Sequence, residues 1–122
     1  MLRRLTFVTT LIVGNLLTSS VMANKDPDTM TTSWYGPGLQ GNQMANGDTF
    51  DMNDITVAAH KSLPFGTEIR LTNPENGRSI IVEVQDRGPY IRGRELDVSR
   101  AVARRLDFIG DGVVELETQV LD

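Results

Sequence analysis

Two short strand-like runs on either side of an Asn-Gly turn, the first alternating polar and apolar residues, constrain this chain most. In residues 67–72, Thr-Glu-Ile-Arg-Leu-Thr, the apolar Ile69 and Leu71 alternate with Glu68 and Arg70, the period of a half-buried strand. Asn73-Pro-Glu-Asn-Gly77 follows, and Asn76-Gly77 supplies the positive φ values that a tight hairpin needs. Residues 79–85 return as the second strand. A third run, residues 113–121, sets Val114, Leu116 and Val120 on one face against Glu115, Glu117 and Gln119 on the other, and is predicted to be the closing strand. The one helical signal is Ser99, an N-cap before Arg-Ala-Val-Ala-Arg-Arg-Leu106, with Val102 and Leu106 one turn apart. With no repeat, no low-complexity tract and no longer helical period, the pattern predicts an all-β barrel with one or two short helices.

The remaining length fits one such domain. The first residues, MLRRLTFVTTLIVGNLLTSSVMA, carry Arg3 and Arg4, then an apolar run to Leu17, then Val21-Met22-Ala23. That order reads as a secretory signal peptide, residues 1–23, removed on export, and the apolar run is shorter than the roughly 18–20 residues a membrane span requires. Residues 24–30, NKDPDTM, are polar and aperiodic and are expected to be a disordered lead-in. Residues 31–122 then form the domain. The 122 residues contain no cysteine, so stability must come from packing and hydrogen bonds, and no site for lipid attachment exists. Without the leader the chain has 10 Lys and Arg against 16 Asp and Glu, a net charge of −6. Such a surface argues against nucleic acid or anionic lipid as partner and is compatible with a neutral or sugar-like polymer.

Few residues can carry chemistry. Asp86 follows Ile80, Val82 and Val84 at intervals of two, so it is expected on their apolar face at a strand end, before Arg87-Gly88-Pro89. Burial there would raise a carboxyl pKa, which suits a general acid. Equally, an Asp at such a place caps a turn by accepting backbone N–H groups. His60, the only histidine, has no second His and no Cys to complete a soft-ligand metal site. It is either a structural hydrogen-bonding residue or part of a cleft. Asp48 and Asp51 flank a Gly turn in Ala45-Asn-Gly-Asp-Thr-Phe-Asp51, where both carboxylates could face one cleft or simply be solvated. Trp34 and Tyr35 lie in a turn-rich stretch; their rings could stack on sugar faces or fill a barrel end.

Taken in order, Ser33-Trp-Tyr-Gly-Pro-Gly38, Ala45-Asn-Gly-Asp-Thr-Phe-Asp-Met52, Ala58-Ala-His-Lys-Ser-Leu-Pro-Phe-Gly-Thr67, Asn76-Gly-Arg78, Val84-Gln-Asp-Arg-Gly-Pro-Tyr90 and Gly93-Arg-Glu-Leu-Asp-Val-Ser99 resemble the rare lipoprotein A family. The resemblance implies a six-stranded double-psi β-barrel with lytic transglycosylase action on peptidoglycan glycan strands, preferably those lacking stem peptides. It further implies cleavage of MurNAc–GlcNAc β-1,4 bonds with 1,6-anhydro-MurNAc formation, without metal or cofactor, by a periplasmic or secreted monomer that has no membrane anchor once the leader is cleaved. Asp86 would be the catalytic acid, with His60, Asp51 and Asp48 in the same cleft and Trp34, Tyr35, Asn46 and Arg87 binding substrate. Three departures stand out. Asp48 replaces the usual Glu, the Asp51 to His60 interval is one residue longer, and Leu39-Gln40-Gly41 stands where an aromatic-His-Gly is common. Two other functions share these residues: a non-catalytic, expansin-like wall-binding module, and a hydrolase in which a second carboxylate activates water.

Overall fold

The computed structural model describes residues 28–121, so the expected signal peptide, most of the expected lead-in and Asp122 lie outside the described residues. Six strands close into one barrel: β1 (Thr29–Tyr35), β2 (Val57–His60), β3 (Glu68–Thr72), β4 (Ser79–Asp86), β5 (Leu96–Ser99) and β6 (Val113–Leu121). Their order around the ring is β1-β5-β2-β4-β3-β6, and β6 pairs back onto β1. The pairs β1–β5 and β2–β4 are parallel and the others antiparallel. Closure leaves no unpaired edge for another chain to extend.

The expected hairpin is β3–β4, in register from Glu68 opposite Glu83 to Thr72 opposite Ser79. Its turn is fixed by Asn73 N–H donating to the Arg78 carbonyl at 2.9 Å and Gly77 N–H donating to the Asn73 carbonyl at 2.8 Å, with Gly77 at φ +76°. Ile69 and Leu71 from β3 and Val82 and Val84 from β4 point into the barrel. There they join Leu96, Val98, Val102, Leu106, Phe108 and Leu116 in a single core. Helix α1 (Arg100–Arg105) is short, as its capping pattern predicts. The Ser99 Oγ accepts from Val102 N–H at 3.2 Å, and Val102 and Ala103 are buried.

Hairpin and helix are tied to each other. Asn73 Nδ2 and Asn76 Nδ2 both donate to the Leu106 carbonyl, at 2.8 and 3.1 Å, satisfying an acceptor at the helix C-terminus that has no partner within the helix. Asn73 is buried, so its loss cannot be made good by water. Asn73→Ala is therefore expected to destabilise the domain by about 1–3 kcal/mol, read as a fall in Tm of several degrees in thermal unfolding.

Three expectations need correction. Strand β1 begins at Thr29, inside the expected lead-in 24–30, because Thr29 and Met30 pair with Glu117 and Leu116 of β6 and so satisfy their backbone groups in the ladder. Val120 keeps the phase of Leu116 but is 50% exposed, since it lies at the barrel mouth, on the rim of a groove beside Leu63 and Phe65. The third correction concerns Asp86. Glu83 pairs with Val57 and Val84 with Ala58, but the next residue of β2, Ala59, pairs with Asp86, leaving Gln85 as an extra residue in β4. This β-bulge reverses the alternation. Asp86 consequently shares the outward face of Ala59 rather than the apolar inward face of Val82 and Val84.

Candidate functional site

The register of four adjacent strands assembles the site. Ser33 of β1 pairs with Asp97 of β5, Asp97 with Ala59 of β2, and Ala59 with Asp86 of β4. Side chains in one register row share a face of the sheet, here the outer one, because the alternate residues Ala58, Val84, Leu96 and Val98 belong to the interior core. Tyr35, two residues beyond Ser33, projects from the same face. Loop 36–56 folds over part of this surface. Its Met44 and Phe50 bury Val57, and the Tyr35 ring stacks on Phe50 with centroids 4.4 Å apart and planes at 15°.

Asp86 caps the turn with one oxygen only. Its Oδ1 accepts from the N–H of Ala45 at 2.9 Å and of Arg87 at 2.8 Å, which fixes the carboxyl plane and staples loop 36–56 to the bulge. Oδ2 accepts from no donor among the described residues and is the free end. Across Ala59, whose methyl group adds little bulk, lies a second carboxyl that the sequence reading did not single out. Asp97 accepts from Ser33 Oγ at 2.7 Å and is half-buried. Burial pushes its pKa up, the Ser33 hydrogen bond and Arg94 oppose that rise, and the charge of Asp86 adds to it. In sequence Asp97 is one polar residue of the alternating run Leu-Asp-Val-Ser, and only the strand pairing sets it opposite Asp86.

His60 ends β2. Its Nδ1 accepts from the N–H groups of Ser62 and Leu63, both at 3.1 Å, so the ring proton resides on Nε2. Burial, then the nearby Arg87 charge, holds the imidazole below the usual histidine range. At neutral pH His60 is thus a neutral Nε2–H donor. Arg87 secures the same turn: its Nη1 donates to the carbonyls of His60 and Leu63 at 3.2 and 2.9 Å, and its guanidinium lies 4.0 Å over the Phe65 ring. The expected substrate-binding Arg87 therefore commits Nη1 and a guanidinium face to the protein itself.

The other expected residues divide. Asn46 N–H donates to the Gln85 carbonyl, placing the Asn46–Asp48 turn beside the bulge, while the Asn46 side chain bonds Asp48 in both directions. Asp51 accepts from Gln40 and from Asn53 N–H. None of the hydrogen bonds of Asp48 or Asp51 among the described residues reaches Asp86 or His60. Trp34 is the opposite of a groove residue: it points inward, packs on the core and donates its indole N–H to the Ile109 carbonyl at 3.3 Å, because the β1 alternation that turns Tyr35 outward turns Trp34 inward. The most exposed aromatic ring among the described residues is Tyr90, 77% exposed and lying over Gly88 just after Asp86, and Phe65 is exposed as well.

A closed six-stranded barrel with two parallel pairs and an acid-bearing outer face defines the class, a double-psi β-barrel. Residues 28–118 match the family model described as lytic transglycolase, and the chain belongs to that family. It is 49% identical over 89 residues to a probable endolytic peptidoglycan transglycosylase RlpA of Aquifex aeolicus, covering 73% of this chain and 39% of that protein. It is 38% identical over 108 residues to an endolytic peptidoglycan transglycosylase RlpA of Neisseria meningitidis, covering 88% and 45%. The chain thus spans less than half the length of these curated relatives. Among solved structures, a Streptomyces papain inhibitor (TM-score 0.58, 22% identity, covering 76% of this chain and 94% of that one) shares the fold. So does cerato-platanin 3 from M. perniciosa (TM-score 0.58, 17% identity, covering 78% and 95%).

Proposed function

We propose that this domain acts in the bacterial cell envelope, periplasmic or secreted, as an endolytic lytic transglycosylase on peptidoglycan glycan strands, with a preference for strands lacking stem peptides. The observation that carries the reading is the state of Asp86: one oxygen is held by two backbone N–H groups and the other is free, at a strand end on the outer face of the barrel. Membership of the lytic transglycolase family supports it.

In the reaction, Asp86 protonates the leaving oxygen of the MurNAc–GlcNAc β-1,4 bond as the C1–O bond breaks. Its carboxylate then takes the proton of the sugar's own 6-hydroxyl as O6 closes onto C1, so the acid is regenerated and no water is consumed. Because the nucleophile is tethered beside C1, its effective concentration is high and one positioned acid–base suffices. His60 contributes an Nε2–H hydrogen bond. Asp48 and Asp51 shape the loop that roofs the cleft. Tyr90 takes the sugar-stacking role that Trp34 cannot fill from the core.

Incubation of the purified protein with peptide-free glycan strands tests the reading, and soluble fragments are the expected result. Binding without fragments would leave a wall-binding module instead. Tyr90→Ala, which removes an exposed ring and no core contact, is expected to raise KM for such strands about 2- to 10-fold with kcat little changed. Steady-state kinetics on the same substrate checks this.

A further inference from the structure

Among the described residues one buried side-chain polar atom lacks a hydrogen-bond partner, the hydroxyl of Tyr35. Buried polar groups are paired so consistently that an orphan calls for an explanation, and an active site is a common one. This hydroxyl belongs to the outer face that carries Asp86 and Asp97. Its ring is fixed by the stack on Phe50, so it cannot swing out to water without breaking that contact. Asp86, opposite, has the complementary deficit, an Oδ2 that accepts from no donor among the described residues. The Tyr35 hydroxyl lies near enough to Asp86 for that carboxyl to act on it both by charge and as a side-chain hydrogen-bond partner, while the contact falls short of a formed hydrogen bond.

We propose that Tyr35 is a positioning residue whose hydroxyl is reserved for Asp86, donating to its Oδ2 once the acid has passed its proton to the leaving oxygen. This rests on the transglycosylase reading for its place in the reaction, but not for the contact itself. Burial first, then the charges of Asp86 and Asp97 and the hydrogen-bonding approach of Asp86, hold the Tyr35 pKa far above the ordinary tyrosine value, so the donor keeps its proton throughout. The hydroxyl aids only the ionised form of Asp86, and the phenol itself neither gains nor loses a proton over the cycle. Asp86 on β4 and Asp97 on β5 are the charged groups that act on the hydroxyl. Arg94 acts on Asp97, and Arg87 directs Nη1 to the His60 and Leu63 carbonyls.

Tyr35→Phe keeps the stack on Phe50 and deletes only the orphan oxygen, so Tm should be unchanged or slightly higher. Turnover of peptide-free glycan should fall about 10- to 100-fold with KM unchanged. The basic limb of the pH–rate profile should move up by about one unit, because the ionised acid has lost a donor. The midpoint at which the Asp86 carboxyl carbon titrates by NMR should rise equally, and should do so again in an Asp97→Asn background. An unmoved midpoint in folded Tyr35→Phe overturns the proposal whatever the reaction. A rise that vanishes in the Asp97→Asn background assigns the effect to Asp97 and also overturns it. A wild-type protein that cleaves no glycan counts against the transglycosylase reading alone, and the titration then decides the role of Tyr35.

Discussion

Asp86→Asn should yield a folded protein that releases essentially no glycan fragments. The asparagine Oδ1 can still accept from Ala45 and Arg87 N–H, so the staple between loop 36–56 and the β4 bulge survives. What disappears is a group able to give and retake a proton at the free position. Acid–base help of this kind is worth about 10²–10⁴ in rate. The loss should appear in kcat, with glycan binding retained. Turnover near the wild-type level by the folded variant would remove Asp86 from the chemistry and leave it as the cap that its Oδ1 already is.

The second large effect is expected at His60, where two variants separate structure from function. His60→Ala removes the Nε2–H donor and also leaves the Ser62 and Leu63 N–H groups without their acceptor. His60→Asn retains an acceptor near the Nδ1 position, and its amide N–H groups do not reach the Nε2 position. If His60 serves the reaction as proposed, both should lose about 10²–10³ in turnover, the usual cost of deleting one donor that acts on a reacting centre. The alanine variant alone should also lose Tm. A pH dependence follows from the lowered pKa. The unfolded histidine, at about 6.5, takes up a proton before the folded one does. The contribution of neutral His60 to stability is therefore complete above about pH 6.5 and declines as pH falls toward the folded value. Thermal unfolding from pH 7.5 to 5 should show that decline in wild type, with its His60 component absent from His60→Asn. Full activity in His60→Asn would reduce the histidine to a cap for its own turn.

What the sequence made legible follows the range of the interactions concerned. The β3–β4 hairpin, the Ser99 cap and β6 are specified by neighbours in the chain, by alternation, by Asn76-Gly77 and by a hydroxyl three residues from the N–H that donates to it. Asp86 was found as a residue, but its face was not, because Gln85 becomes a bulge only when β4 pairs with β2 across about 26 residues. The same limit hid Asp97 and the inward turn of Trp34. Whether Trp34 or Tyr35 points outward is set by the parallel pairing of β1 with β5, more than 60 residues away. Local pattern supplies the candidates, and the long-range register decides which of them meet.

What replaces the broken glycosidic bond separates a transglycosylase from a hydrolase. Water attack would need a second carboxylate to hold and activate a water opposite the acid, whereas the tethered 6-hydroxyl needs only the acid–base itself. Mass spectrometry of fragments released from peptide-free strands, before and after borohydride reduction, reads this directly. Termini lighter by one water and resistant to reduction are the expected result, the signature of 1,6-anhydro-MurNAc. Reducible MurNAc termini would contradict it and make the protein a hydrolase, with Asp97 the first residue to examine as the activating base.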